Sequence, residues 1–224
     1  MQVARTLRAW ACLGGLATTI LFVIGAILLF DGPSDSSPAK MTAYYTDSGH
    51  RTTTHIGWIL AGFGVFAFVW FLAALREAVA DTEREDPSSG TFLSTVVTLG
   101  GGVFAAATVV VIGSTDGLKT MSDDTYQHQV YSGVIHAAGD ASYVILAGSG
   151  VAMASLIFAV SAASFEFGLL PKWVAWFGVL AGIAAIFSLF FFTMLVWLLW
   201  LAVASVAFFV RSSARETVPE PVAV

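Results

Sequence analysis

Five stretches of this chain carry no Asp, Glu, Lys or Arg: Ala9–Phe30, Ile56–Leu75, Phe92–Thr115, Ala141–Phe165 and Trp173–Val210. Each reaches or exceeds the roughly 18–20 residues that a helix needs to cross a hydrocarbon core. Backbone N–H and C=O groups in lipid must be paired within the segment, and these runs are continuous rather than alternating, so they predict helices and not barrel strands. Composition agrees, with 57% hydrophobic and 11% charged residues against roughly 45–50% and 25% in soluble domains. The expected fold is an all-α polytopic membrane protein whose principal partner is the lipid bilayer.

The last run is long enough for nearly two crossings, since about 38 residues make a helix of roughly 57 Å. Positive charge decides between one span and two, because short cytoplasmic loops are enriched in Lys and Arg. Two spans leave Arg5, Arg8, Arg76, Arg84, Lys172, Arg211 and Arg215 inside against Lys40, Arg51 and Lys119 outside; one span makes the division even. The sequence therefore predicts a six-transmembrane-helix bundle with both termini cytoplasmic. The spans fall at about 7–30, 53–76, 92–115, 140–165, 172–190 and 193–211, followed by a disordered tail at 212–224. A tight hairpin at Phe187 to Thr193 is expected to put Trp197 in the outer aromatic belt, with Trp10, Trp173 and Trp176 near the inner face and Trp58 near the outer one. The first run is too long for a secretory signal core and reads as a span.

Within the loops, Ser37, Pro38 and Gly49 mark a short amphipathic outer helix by cap, first-turn and stop chemistry. The charged stretch from Arg76 to Thr91 reads as a solvated helix end and linker. Cys12 is the single cysteine, so there is neither an intrachain disulfide nor a thiolate metal site. Most of the net charge of −5 lies on the outer segments, and no basic patch for nucleic acid exists.

The expected membrane core holds no titratable side chain and no proline; its polar groups are hydroxyls, which can bond their own upstream carbonyls. Gly178 and Gly182, Gly148 with Ala152, and Gly150 with Ala154 supply small-xxx-small spacing for close helix packing. All four histidines fall outside, and Asp124, His128, Ser132, His136 and Asp140 recur every four residues as one ridge of a helix. Gly133 and Gly139 are candidate bends in it. His136 and Asp140 stand one turn apart, as do Arg51 and His55, so His55, His128, His136, Asp140 and Arg51 are the candidate ligand or proton residues. The third ligand at fixed spacing that zinc would require is missing, nothing else supports a haem between His55 and His136, and no cofactor is assigned. An Arg51–Asp140 pair would be architectural, fixing the second span against the fourth.

The stretch "AYYTDSGHRTTTHIGWILAGFGVFAFVWFLAALREAV", Ala43 to Val79, resembles a group of multi-span membrane proteins of actinobacteria, with a Tyr-Tyr element leading into a span that ends Phe-Leu-x-x-Leu-Arg. "GLLPKWVAWFGVLAGI", Gly168 to Ile183, is similar to the fourth-to-fifth span junction of the same group. The resemblance implies six spans in a bacterial plasma membrane; it implies no reaction, ligand or catalytic residue.

Three functions fit these residues. The first is a non-enzymatic bundle acting as an accessory subunit for a membrane protein partner or as a homo-oligomer. The second is a binding or permeation protein for a small molecule, lipid or ion at an outer site of His55, His136 and Asp140. The third is an outer-leaflet lipid-modifying enzyme with His136 and Asp140 as its acid–base pair.

Overall fold

The computed structural model describes residues 7, 10–29, 37–85, 90–124 and 132–216. All regular structure among them is helical: α1 Gly14–Leu29, α2 Pro38–Thr46, α3 Ser48–Glu85, α4 Phe92–Asp124, α5 Ser132–Phe167, α6 Lys172–Ile186 and α7 Phe191–Glu216. Four stretches, Ser48–Glu85, Phe92–Ser114, His136–Phe167 and Phe192–Ser212, are long and apolar enough to cross a membrane, while α1 and α6 are shorter apolar helices. Large apolar side chains such as Phe63, Phe66, Leu99, Val103 and Leu180 stand exposed around the bundle. In water such a surface would be an aggregation patch; around a membrane helix it is the lipid face.

The six longer helices form a closed ring in chain order. Each packs antiparallel on the next, and α7 returns to α1. Backbone proximity makes this closure possible. A Cβ on Gly14 would sit 2.4 Å from Ala67 O of α3, and one on Gly15 would meet Ser205 and Leu201 O of α7. On the opposite side, Gly178 and Gly182 of α6 are filled from α5 by the Ser161 hydroxyl and the Phe158 ring, so the GxxxG pair is spent within the chain. Phe104 of α4 fills the centre, with its ring centroid 6.5 Å from Phe22, 5.3 Å from Phe68 and 5.4 Å from Trp197.

Trp197 is therefore not in an aromatic belt: it is 3% exposed, and its indole N–H donates to Ser188 Oγ at 3.2 Å. Trp10, Trp173 and Trp176 are exposed, and Trp200 is buried with its N–H on Val174 O. Cys12 is buried in the same core. Its carbonyl accepts the Ser205 hydroxyl, while Leu16 N donates to that same oxygen at 3.1 Å. Cys12 O and Leu16 N are the i, i+4 partners of an ordinary helix. Ser205 is inserted into that rung, beside the turn at Leu13 that separates helical residues 10–12 from α1.

Two boundaries differ from the sequence expectation. The short helix α2 has Pro38 in its first turn, but Asp47 ends it, not Gly49, and Arg51 donates to the carbonyl of Thr46 in its last turn at 2.7 Å. At the other end α3 runs on through the charged stretch to Glu85, and Glu83 is 2% exposed rather than solvated. Its carboxylate accepts from Leu93 N at 2.6 Å and Ser94 N at 3.2 Å, the free amides of the first turn of α4. A side chain from the preceding helix thus supplies a cap for the first turn of α4. Gly133 and Gly139 lie within continuous helix.

Replacement of Glu83 by Ala is expected to cost about 2 kcal/mol or more, the scale of buried hydrogen bonds to a charged group, whereas Ala at exposed Glu85 should leave thermal unfolding in detergent micelles unchanged. Gly100 and Gly102 offer a second comparison on one helix. A Cβ on Gly100 would lie 2.5 Å from Ala152 O, but nothing lies within 4 Å at Gly102. Gly100→Ala should destabilise by about 1–3 kcal/mol through overpacking, and Gly102→Ala should be neutral or stabilise by up to about 1 kcal/mol through helix propensity.

Candidate functional site

Helix α6 has 15 residues, a length of about 22 Å, against a hydrocarbon core of about 30 Å. It ends at Ile186, and the turn to α7 is made by Phe187, Ser188, Leu189 and Phe190, flanked by the 79% exposed Phe192. An apolar turn of this kind cannot rely on water for its backbone groups. Phe187 N, Ser188 N, Phe190 N and Thr193 N all find carbonyls three residues back. The Thr193 hydroxyl lies 2.6 Å from both Phe187 O and Phe190 O, and the Tyr143 hydroxyl of α5 donates to Leu189 O.

On this side of the ring the helices border an open-mouthed cavity of about 460 Å³. Its walls come from the last turns of α1 (Phe22, Val23, Ala26, Ile27, Leu29), the early part of α3 (Trp58, Ala61), α4 at Thr108 to Ile112, α5 at Gly139 to Leu146, and the first turns of α7 (Met194 to Leu198). All of these segments belong to the end of the bundle where α3, α5 and α7 begin. Among the described residues the lining holds no charged side chain. Of its few polar side chains, Thr108 donates to Phe104 O, Tyr143 to Leu189 O and Trp197 to Ser188 Oγ. The indole nitrogen of Trp58 is different: it is buried and has no hydrogen-bond partner among the described residues. Buried tryptophan N–H groups are ordinarily paired, and leaving one unmade costs the desolvation of the donor. Val23, Ile27 and Leu195 line the cavity and are also exposed, so its mouth is apolar.

A smaller hollow of about 250 Å³ lies where α2 meets α3, lined by Tyr44, Asp47, Gly49, His50 and Thr53. Asp47 caps α3 there, its Oδ1 accepting from Gly49 N at 2.8 Å and His50 N at 3.1 Å. The His50 and Gly49 amides hold its carboxyl below the ordinary carboxylate range. The His50 ring packs edge-on against Tyr44, with centroids 4.0 Å apart. The hollow is built by helix-end geometry and is open to solvent at most of its residues.

The sequence-derived candidates occupy the same end of the bundle but not the cavity. His136 and Asp140 are exposed on the first turns of α5, and His55 and Arg51 are half-buried on α3. None of the four lines the 460 Å³ space. His128 lies outside the described residues, as do the neighbouring residues 125–131 of the ridge. Among the described residues no three His, Cys, Asp or Glu side chains come together to hold a metal ion. Sequence reasoning missed the cavity because its walls are ordinary apolar residues; the available signals were Tyr143, Ser188 and Thr193, polar groups in the apolar text at which α5 meets the α6–α7 turn. No family model, curated protein or solved structure matches the chain.

Tyr143→Phe removes the donor to Leu189 O and leaves that carbonyl without this partner. The bond lies at an exposed position, so the expected loss is about 0.5–1.5 kcal/mol, the net worth of an ordinary hydrogen bond, read as a lower unfolding temperature in detergent.

Proposed function

We propose that the chain is a six-span protein of the bacterial plasma membrane, both termini cytoplasmic, that binds an apolar small molecule or lipid-derived molecule in the cavity at the outer end of its bundle. The observation that carries this reading is the cavity itself: about 460 Å³ of space walled by five helices, within the roughly 300–1,000 Å³ of small-molecule sites. The apolar mouth fits a ligand arriving from the bilayer. The uncharged walls disfavour ions, since a desolvated charge needs a partner.

The six-span arrangement is supported by the antiparallel ring and by the turn at Phe187 to Phe190 inside the long apolar run. The bacterial membrane accords with the group that the sequence resembles. A partner-binding surface has no mark on this bundle that separates it from lipid-facing surface, so the cavity favours binding over an accessory role.

The test is photolabelling in liposomes with a diazirine-bearing hydrocarbon, followed by peptide mapping. Adducts should concentrate on 22–29, 139–146 and 194–198. Ala26→Phe, which adds bulk to the wall, should reduce those adducts several-fold while leaving labelling of the lipid-facing Phe66 and Val103 intact. Labelling spread evenly over the exposed apolar surface in both proteins would overturn the reading. Ala at both His136 and Asp140 should not alter the pattern.

A further inference from the structure

Helix α1 follows its two neighbours over different lengths. It stays against α3 from end to end: a Cβ on Gly14 would sit 2.4 Å from Ala67 O, one on Gly64 2.6 Å from the Phe22 ring, and one on Gly25 2.9 Å from Gly57 O. Its ties to α7 run from Cys12, whose carbonyl accepts the Ser205 hydroxyl, through Leu16 N on Ser205 Oγ at 3.1 Å, to the Thr19 hydroxyl, 3.0 Å from Leu198 O. Past Thr19 the two helices border the 460 Å³ cavity instead, with Phe22, Ala26 and Ile27 of α1 and Met194 and Leu195 of α7 in its wall. Val23, Ile27 and Leu195 are wall and exposed surface at once, so this half of the seam is open sideways. The other exposed wall residue among those described is Gly139, at the end of the bundle.

We propose that one hydrocarbon chain of a bilayer lipid enters the cavity sideways, through the cleft between the last turns of α1 and the first turns of α7, while the headgroup stays outside. The inference rests on the cavity-binding reading above and names the occupant and its entrance. Depth supports it first. Helix α6 starts at Lys172, a charge that belongs at the membrane surface, and its length of about 22 Å leaves the turn into α7 about 8 Å short of the far side of a core of about 30 Å. Leu195 lies a further turn inward along α7. The rim agrees: Ile20 and Ile24 of α1 and Phe192 and Leu199 of α7 are exposed beside the mouth, so the cleft opens onto acyl chains and not onto water. At that level chains are the solvent, and one that crosses the mouth exchanges lipid contacts for wall contacts without unpairing a polar group. The headgroup cannot follow, because among the described residues no charged side chain lines the wall to balance a phosphate.

The experiment uses liposomes that contain a phosphatidylcholine with a diazirine along one acyl chain and, in parallel, the free diazirine hydrocarbon. Adducts are read at Val111, Ser142 and Met194, which line the cavity but are buried from the bilayer. Both probes should reach them in the unaltered protein. If the lipid chain marks exposed residues such as Val103 and the free hydrocarbon alone reaches the buried ones, the site takes free molecules; the inference then fails and the cavity reading stands. Failure of the reading itself looks different, with neither probe at the buried wall and no effect of Ala26→Phe. The entrance is tested by Val23→Trp and Leu195→Trp, which add bulk at the mouth and should lower lipid-chain adducts at Val111 and Ser142 several-fold. Ile24→Trp and Leu199→Trp, on exposed residues outside the wall, should leave them unchanged. Entry from the end of the bundle would give the reverse, adducts lost in Gly139→Leu and kept in both mouth variants, and overturns the inference.

Discussion

The whole bundle is governed by the absence of water around its backbone. In lipid every N–H and C=O must be paired inside the protein, and three positions where an α-helix cannot do this alone are positions where it meets a neighbour or a turn. At Cys12 and Leu16 a rung of the helix ladder is open, and Ser205 occupies it from the last helix. At the α6–α7 turn the carbonyls of Phe187, Leu189 and Phe190 are covered by Thr193 and Tyr143. At the start of α4 the amides of Leu93 and Ser94 are covered by Glu83. Each correction is made by a different helix or turn, so satisfying the backbone also fixes which helices touch.

Hydroxyls extend the same logic between helices. Thr18 Oγ1 lies 2.8 Å from Gly14 O in its own helix and 3.0 Å from Gly64 O in α3; Thr19 Oγ1 does the equivalent with Gly15 O and Leu198 O of α7. One proton shared between two carbonyls ties α1 to both neighbours without placing an unpaired polar group in lipid. This is possible because Gly14, Gly15, Gly57 and Gly64 let the backbones approach. Closure of the ring by α1 and α7 therefore rests on small side chains and hydroxyls more than on large apolar ones, as expected where lipid removes the hydrophobic drive between helices.

Much of the fold was legible because lipid leaves so few options. The apolar runs became helices, and the 38-residue run breaks between Ile186 and Phe191, where the balance of Lys and Arg required a hairpin. Side chains that act across helices were not legible. Trp197 reads as a belt residue by its distance from a turn, yet the rotation of α7 points it at Phe104 in the centre. Glu83 sits in a run of charges that looks solvated, and only the return of α4 buries it. The titratable ridge was found by its four-residue period, but periodicity reports one helix at a time. The cavity is a relation among five helices, and no single segment carries its signature.

The first turns of α5 show how a polar exterior and an apolar interior coexist there. His136 and Asp140 face outward, whereas Gly139, Ser142 and Tyr143 belong to the cavity wall. Gly139 has no atom within 4 Å of where its Cβ would be, so its lack of a side chain keeps volume open rather than permitting a close helix contact. This is the reverse of Gly100 or Gly150, where the missing Cβ is taken up at once by a neighbouring backbone. Glycine thus serves two opposed ends in one bundle: it closes the ring where helices must touch, and it leaves volume open in the cavity wall.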